Sequence, residues 1–123
     1  MNRRGLAERA CTPCEGGIDP LPTARVDRLL PQVPGWSLAD QGRGLQRRFA
    51  FPDFRRLIAF VNALAWIANR QGHHPDFTVS HYDCRVTWTT HAIGGLSEND
   101  FICAARVNAL VDAMVAVRGP RAA

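Results

Sequence analysis

The sequence predicts a single α+β domain in which three helices pack on one face of a single-layer, four-stranded antiparallel sheet. Apolar residues recur with the period of an amphipathic helix in one short and two long segments. Between these segments, short stretches alternate apolar with polar residues, and turn-forming residues join them in pairs. The predicted order is therefore helix, strand, strand, helix, strand, strand, helix.

Length and composition fit one globular domain, since the chain has 123 residues and is 46% hydrophobic. The net charge is +4, but there is no basic stripe interleaved with aromatic residues, so direct nucleic-acid binding is not predicted. The N-terminus lacks the apolar segment of a signal peptide, and no apolar run approaches the roughly 20 residues that span a bilayer. We expect a cytoplasmic protein with no membrane segment and with four reduced cysteines.

The chain divides into an arm, a domain and a short tail. Residues 1–20 have almost no apolar periodicity, which predicts an extended or partly mobile arm before a domain at 21–118 and a tail at 119–123. Thr23 is placed to cap a first helix that runs to about Gln32.

Two cysteines of the arm form a Cys-x-x-Cys pattern, which could supply half of a zinc site. They are Cys11 and Cys14, whereas Cys84 and Cys103 are not spaced as a second half. A zinc-binding module is therefore the least favoured interpretation, and no metal is predicted.

A β-hairpin and a long helix follow. Trp36 to Ala39 and Leu45 to Phe51 are predicted strands, joined by a glycine-bearing turn. A helix then runs over 53–71 with two neighbouring apolar stripes, and Gly72 ends it. The first stripe comprises Phe54, Leu57, Ile58, Val61, Leu64, Ala65 and Ala68, and the second comprises Phe60, Ala63 and Ile67. Because this apolar surface is wider than one core face, we expect part of it to contact another subunit.

The second half of the chain contains two more strands and the last helix. One strand holds Phe77 and Val79, and the next runs from about Asp83 to His91. Alternation on that strand places Cys84, Val86, Trp88 and Thr90 on the face that packs against the helices, and His91 on the other face. The last helix is predicted from Glu98 to about Val117.

Three histidines are predicted to form a site. His73 and His74 lie in a loop shaped by Pro75, and His91 lies at a strand end. Imidazole can give or take a proton near neutral pH, so the group is interpreted as a proton-transfer cluster. A zinc triad and ordinary polar residues are the alternatives.

Asp100 has two interpretations. It follows the predicted cap Ser97 by three residues, where a carboxylate stabilises the start of a helix whatever else it does. It is also a candidate member of the site.

These residues together resemble the pterin-4a-carbinolamine dehydratase family, and the likeness covers nearly everything from Cys11 to Val111. The segments that carry it are His73-His74-Pro75, Thr90-His91, Gly94-Gly95-Leu96-Ser97-Glu98-Asn99-Asp100-Phe101 and Pro34-Gly35-Trp36. The resemblance implies dehydration of 4a-hydroxytetrahydropterin to the quinonoid dihydropterin without a metal or organic cofactor. This reaction recycles the tetrahydrobiopterin cofactor of aromatic amino acid hydroxylases.

The resemblance also implies site residues and an oligomer. The catalytic residues would be His73, His74, His91 and Asp100, and the substrate contacts would be Pro75, Thr90, His81 and Tyr82. For His81 and Tyr82, which straddle a predicted turn, solvent-facing turn residues are the alternative. Loss of hydroxide needs a general acid and removal of the N5 proton needs a base, and imidazoles can serve as both. Similar proteins are homodimers or homotetramers built through helix and sheet-edge contacts, which suits the helix at 53–71.

Two positions differ from the usual family pattern. Asn69 stands where the family usually has a charged residue, and an amide cannot tune a neighbouring imidazole by charge. His81 stands where an aromatic residue is usual, with Tyr82 displaced by one position, and such a shift reverses the face of a strand side chain.

These differences support a second hypothesis, a dehydratase-like binding protein with little or no activity. Such proteins act as transcriptional coactivators or as RuBisCO assembly factors. The apolar helix or the basic arm would then contact a protein partner, either a transcription factor or RuBisCO.

Overall fold

The structure, a computed structural model, describes residues 5–13 and 16–118 and has the predicted α+β class and element order. Its helices are α1 (Thr23–Leu29), α2 (Phe54–Gln71) and α3 (Glu98–Arg118). Its strands are β1 (Ser37–Ala39), β2 (Gly44–Ala50), β3 (Asp76–Ser80) and β4 (Asp83–Trp88). The predictions that concern Cys14 and the tail at 119–123 fall outside the described residues.

The four strands form one antiparallel sheet in the order β1-β2-β4-β3, so β3 is an edge strand. One face of the sheet packs against the helices, because the apolar positions of β2 and β4 alternate in register with one another. On that face, the buried residues of β2 and β4 are Leu45, Phe49, Cys84, Val86 and Trp88. Within the described part of the chain, no helix combines the length and apolar character needed to cross a membrane.

Helix α2 begins and ends as its sequence predicts. The Asp53 side chain caps it by accepting a hydrogen bond from the Arg56 N–H at 2.9 Å, and Gly72 ends it in the left-handed conformation with φ of 65°. The predicted cap of α1 is wrong, because Thr23 is already the first helical residue and Pro22 precedes it. Proline has a fixed φ and no N–H, which suits it to a helix start.

The buried face of α2 lies between the two predicted stripes. Phe60 belongs to the core and packs against Phe49 and Phe51, with ring centroids 4.9 and 5.1 Å apart. Phe54, assigned to the main stripe, is 58% exposed, and Trp66 is 61% exposed. Packing against the sheet therefore decides which narrow strip of α2 is buried. The apolar pattern of the helix does not by itself determine which side faces the core.

Strand β4 is shorter than predicted. It ends at Trp88, and Thr90 leaves the sheet to pair with Gly95, whose carbonyl accepts the Thr90 N–H at 3.0 Å. His91 then opens a short 3-10 turn, His91–Ile93. The prediction that the strand continues to His91 is wrong. The neighbouring strand β2 begins at Gly44, so its ladder with β4 ends at the pair Leu45 and Trp88.

The N-terminal arm packs against α3. Leu6 lies in a 3-10 turn and is 6% exposed, within the main core. Further along, the Arg9 guanidinium pairs with Glu98 at 2.8 Å, and the Arg106 guanidinium donates to the Arg9 carbonyl. The arm thus covers a side of α3 that the sheet does not reach.

Replacing Leu6 with alanine tests this packing. We expect Leu6→Ala to lower the free energy of unfolding by about 2 to 3 kcal/mol, because it opens a cavity beneath the arm. Urea denaturation followed by circular dichroism would measure it. The matched control is Ile18→Ala in the same arm, where the side chain is 60% exposed and a change within about 0.5 kcal/mol is expected. Equal effects of the two substitutions would contradict the packed arm.

Candidate active site

A cavity of about 420 Å³ lies where the arm, the α2–β3 loop and the β4–α3 connection meet. Its size falls within the range of small-molecule sites. It brings together the three histidines that the sequence singled out. Its lining residues are Cys11, Thr12, Pro13, Gln71, Gly72, His73, His74, Thr89, Thr90, His91, Ala92 and Asn99.

Asp100 lies behind this cavity and is completely buried. Its Oδ1 is 2.6 Å from Nε2 of His73, while its Oδ2 accepts hydrogen bonds from the Thr90 hydroxyl at 2.8 Å and from the Ser97 N–H at 2.9 Å. The bond to Ser97 is the helix-start contact expected at this position. Asp100 therefore serves the helix start and a histidine at the same time, so its two predicted roles are compatible.

The ring of His73 is held from two directions. Besides its bond to Asp100, it stacks on Trp88, with ring centroids 5.4 Å apart and an interplanar angle of 21°. Burial by itself would lower the pKa of His73. The hydrogen bond to Asp100 and the negative charges of Asp100 and Cys11 outweigh burial and raise this pKa above its usual value. Nε2 of His73 is therefore engaged by the Asp100 carboxylate.

His74 and His91 line the same cavity but are exposed to solvent. Nε2 of His91 lies 3.6 Å from Oδ2 of Asp76, and both side chains are about 70% exposed or more, so this pair contributes little to stability. Pro75 lies beside His74 and lines a separate cavity of about 230 Å³, together with Asn69.

His81 and Tyr82 lie away from the cavity. They form the turn between β3 and β4, where their rings are in contact with centroids 4.3 Å apart and a tilt of 35° between the planes. The cavity adjoins the opposite end of β3, and the length of that strand, about 13 Å at 3.3 Å per residue, separates the two places. The structure therefore does not bring these two predicted substrate contacts to the histidines of the same chain.

Some cavity residues were missed by the sequence interpretation. Cys11 and Gln71 line the cavity because the Cys11 N–H donates to Oε1 of Gln71 at 2.8 Å, which joins the arm to the end of α2. No local pattern in the sequence predicts that Cys11 and Gln71, which are 60 positions apart, lie next to each other. Asp76, whose Oδ2 lies 3.6 Å from His91, lines a neighbouring cavity of about 370 Å³ and pairs with Thr87 of β4.

A larger cavity, of about 570 Å³, lies between the arm, α3 and the start of the sheet. Among the described residues that line it, Arg47 donates hydrogen bonds to Oδ1 of Asn108 at 2.6 Å and to the Pro34 carbonyl at 3.2 Å. These described lining residues include no histidine or cysteine, and the Arg47 guanidinium is already engaged. The smaller histidine cavity is therefore the better candidate for chemistry.

The histidine cavity can carry out proton transfer. A hydrogen-bonded imidazole with a raised pKa provides an acid near neutral pH, and two solvent-accessible imidazoles provide acceptors. Across residues 5–13 and 16–118, no three His, Cys, Asp or Glu side chains are grouped so as to hold a metal ion.

Comparison with known proteins shows the same family throughout. Residues 19–110 match the family model described as pterin 4 alpha carbinolamine dehydratase. A protein of Nitrosomonas eutropha, provisionally named pterin-4-alpha-carbinolamine dehydratase, is 52% identical over 107 residues, which cover 86% of this chain and 93% of that protein. A protein of Xanthomonas oryzae pv. oryzae with the same provisional name is 56% identical over 108 residues, which cover 87% of this chain and 91% of that protein.

Two solved structures are similar at 28% sequence identity. A transcriptional coactivator/pterin dehydratase from Brucella melitensis superposes with a TM-score of 0.71 over 75% of this chain and 98% of that one. A pterin dehydratase-like protein identified as a RuBisCO assembly factor in the alpha-carboxysome superposes with a TM-score of 0.54 over 62% of this chain and 88% of that one.

The link between Asp100 and His73 can be tested by NMR titration. We expect Asp100→Asn to lower the pKa of His73, because the substitution removes the negative charge and leaves burial to favour the neutral ring. The imidazole signals of each histidine would be followed against pH. The control is Asp76→Asn, which removes the carboxylate near His91 and should leave His73 unchanged. An unaltered His73 titration in Asp100→Asn would refute the link.

The same pair predicts how stability depends on pH. Because the folded pKa of His73 is raised, its protonation stabilises the fold fully below the unfolded value of about 6.5, and this contribution is lost as pH rises through the folded pKa. The difference in free energy of unfolding between the wild type and His73→Gln should therefore be largest near pH 6 and shrink toward pH 9, by of order 1 kcal/mol. Urea denaturation across that range measures it, and a difference that grows with pH would contradict the assignment.

Proposed function

The chain belongs to the pterin-4-alpha-carbinolamine dehydratase family, and we propose that it dehydrates 4a-hydroxytetrahydropterin to the quinonoid dihydropterin through its histidine cluster. The family assignment makes the protein a hydro-lyase. In this proposal the dihydropterin product is the form that a separate two-electron reduction converts back to the tetrahydropterin cofactor of aromatic hydroxylation. The observation that carries the proposal is that His73, His74 and His91 line one cavity with Asp100 buried behind it.

The chemistry requires one proton to be given and one to be taken. The bond between C4a and the hydroxyl oxygen breaks, the oxygen leaves as water after gaining a proton, and N5 loses its proton as the C4a–N5 double bond forms. A general acid near the hydroxyl and a general base near N5 would each lower the barrier. One water is produced, and no electrons are exchanged with the protein.

We assign His73 the role of general acid. Its raised pKa increases the fraction of protonated ring near neutral pH, and its bond to Asp100 fixes the ring orientation. His74 and His91 are the candidate bases, since both reach the same cavity from the solvent side. Thr90, predicted to contact substrate, acts in this proposal through Asp100, because its hydroxyl is already bound to Asp100 at 2.8 Å and lies 2.7 Å from the Ser97 hydroxyl.

The decay of 4a-hydroxytetrahydropterin tests the proposal directly. The intermediate would be generated in place by an aromatic amino acid hydroxylase and followed by absorbance, with and without the purified protein. Acceleration well above the spontaneous rate supports the enzyme. No acceleration from a well-folded sample would overturn it.

Variants of the exposed histidines test the cluster. We expect His74→Ala and His91→Ala to lower the catalysed rate by about 100-fold or more, with little change in Tm, because each removes a proton carrier without opening the core. His81→Ala, at the far end of β3, should retain the wild-type rate. Unchanged rates in both His74→Ala and His91→Ala would refute their catalytic role, while loss in His81→Ala would mean that this turn from a second copy completes the cavity.

A second candidate function is protein binding, and exposed apolar side chains on α2 and β3 favour it. Trp66 is 61% exposed, Phe54 is 58% exposed, and Phe77 and Val79 are each 43% exposed. Such residues fit an interface with a second copy of the chain, through α2 or the β3 edge, or with another protein such as RuBisCO or a transcription factor. A folded but inactive sample that co-purifies with RuBisCO or a transcription factor would favour this function.

The cytoplasmic location expected from the sequence stays a prediction. Fractionation of the cells that produce the protein would test it.

A further inference from the structure

Two cysteines from distant parts of the sequence touch at the wall of the histidine cavity. Sγ of Cys11, on the arm, lies 3.5 Å from Sγ of Cys103, on α3, and the two residues are 92 positions apart. Cys11 is partly exposed and lines the cavity, whereas Cys103 is completely buried beneath it. The proposed dehydration uses neither thiol.

The contact is held in place by hydrogen bonds on both sides of Cys11. The Cys11 N–H donates to Oε1 of Gln71 at 2.8 Å. The next residue, Thr12, exchanges two hydrogen bonds with the Asn99 side chain, at 3.0 and 2.7 Å. The Arg106 guanidinium also donates to the Arg9 carbonyl at 2.9 Å. The sulfur atoms are therefore neighbours in the folded state because the arm is anchored to α2 and α3.

The surroundings make the two thiols chemically different. A hydrogen bond from Cys103 lowers the pKa of Cys11 against the opposing effect of burial, and the positive charges of His73 and Arg106 lower it further. The same hydrogen bond and burial raise the pKa of Cys103. Cys11 is thus the more acidic thiol of the pair, and the one that ionises more readily to the reactive thiolate.

We propose that Cys11 is a site of oxidation by peroxides and that Cys103 converts the oxidised sulfur into a disulfide that fastens the arm to α3. The argument for this oxidation does not rest on the proposed dehydration. A peroxide can reach Cys11 through the cavity that it lines, and Cys103 is the neighbouring thiol in contact with it.

The reaction balances in two steps. The Cys11 thiolate attacks the O–O bond of a hydroperoxide, so an S–O bond forms, the O–O bond breaks, and the alcohol or water leaves with a proton. Cys103 then attacks Sγ of Cys11, so the S–S bond forms and the S–O bond breaks, and the departing hydroxide takes the Cys103 proton as water. In total two thiols are oxidised and one peroxide is reduced.

The geometry needs only a small adjustment. A disulfide has an S–S length of about 2.05 Å, so the sulfur atoms must approach by about 1.5 Å from their present separation of 3.5 Å. Because the adjacent arm residues Ala10, Thr12 and Pro13 are exposed, moving Cys11 by that amount displaces no buried side chain next to it in the arm. A cytoplasmic thiol pool would reduce the bond again, as is usual for redox-responsive disulfides.

Mass spectrometry of the full-length protein tests the proposal. The reduced protein would be treated with equimolar hydrogen peroxide, alkylated without reduction and digested with trypsin. We expect a cross-link between the peptide of residues 10–25 and the peptide of residues 86–106, which carries Cys103. The oxidised protein should also unfold at a Tm higher by about 5 °C or more, because the bond closes a long loop.

Single substitutions separate the alternatives. Cys14→Ser should keep the cross-link, and so should Cys84→Ser, because Cys84 is completely buried in β4 and does not line the cavity. Cys103→Ser should abolish the cross-link and leave Cys11 as a sulfenic acid that dimedone traps. Cys103→Ala serves the same purpose if the serine variant does not fold.

Two results would overturn the proposal. One is a disulfide between Cys11 and Cys14 within the peptide of residues 10–25, with Cys103 still available for alkylation after unfolding. The other is a wild-type protein that gives no cross-link after treatment with peroxide.

Discussion

The buried carboxylate of Asp100 is the constraint on which the site depends. A carboxylate without solvent is unfavourable unless hydrogen bonds satisfy it, and here the donors come from three separate segments. They are His73 of the α2–β3 loop, Thr90 after β4 and the backbone of Ser97 before α3. Satisfying one side chain therefore fixes the relative positions of the segments that build the cavity.

This arrangement divides the cavity into a rigid rear and an accessible front. His73 is held between Asp100 and the buried ring of Trp88, so its orientation and protonation are set by the protein. His74 and His91 are exposed to solvent at the mouth of the cavity. In the proposed mechanism, His73 is the acid held in place by the protein and the exposed histidines are the bases, which suits a small substrate that must gain and lose protons at adjacent atoms.

The arm completes the cavity by contributing Cys11, Thr12 and Pro13 to its lining. Its hydrogen bonds to Gln71, Asn99 and Arg106 place Cys11 beside Cys103 and within electrostatic reach of His73. The charge of Cys11 in turn contributes to the raised pKa of His73. A segment with little apolar pattern of its own is therefore part of the cavity and of its electrostatics.

The sequence by itself determined the α+β class, the order of the elements, the ends of α2 and the histidines worth attention, because these depend on local periodicity, caps and residue chemistry. Only the tertiary structure decided which strip of α2 is buried, where β4 ends and that His81 lies away from the cavity. It also decided that Cys11 meets Cys103. Those outcomes depend on packing between segments far apart in the chain. A local sequence pattern does not specify which distant segment it will pack against.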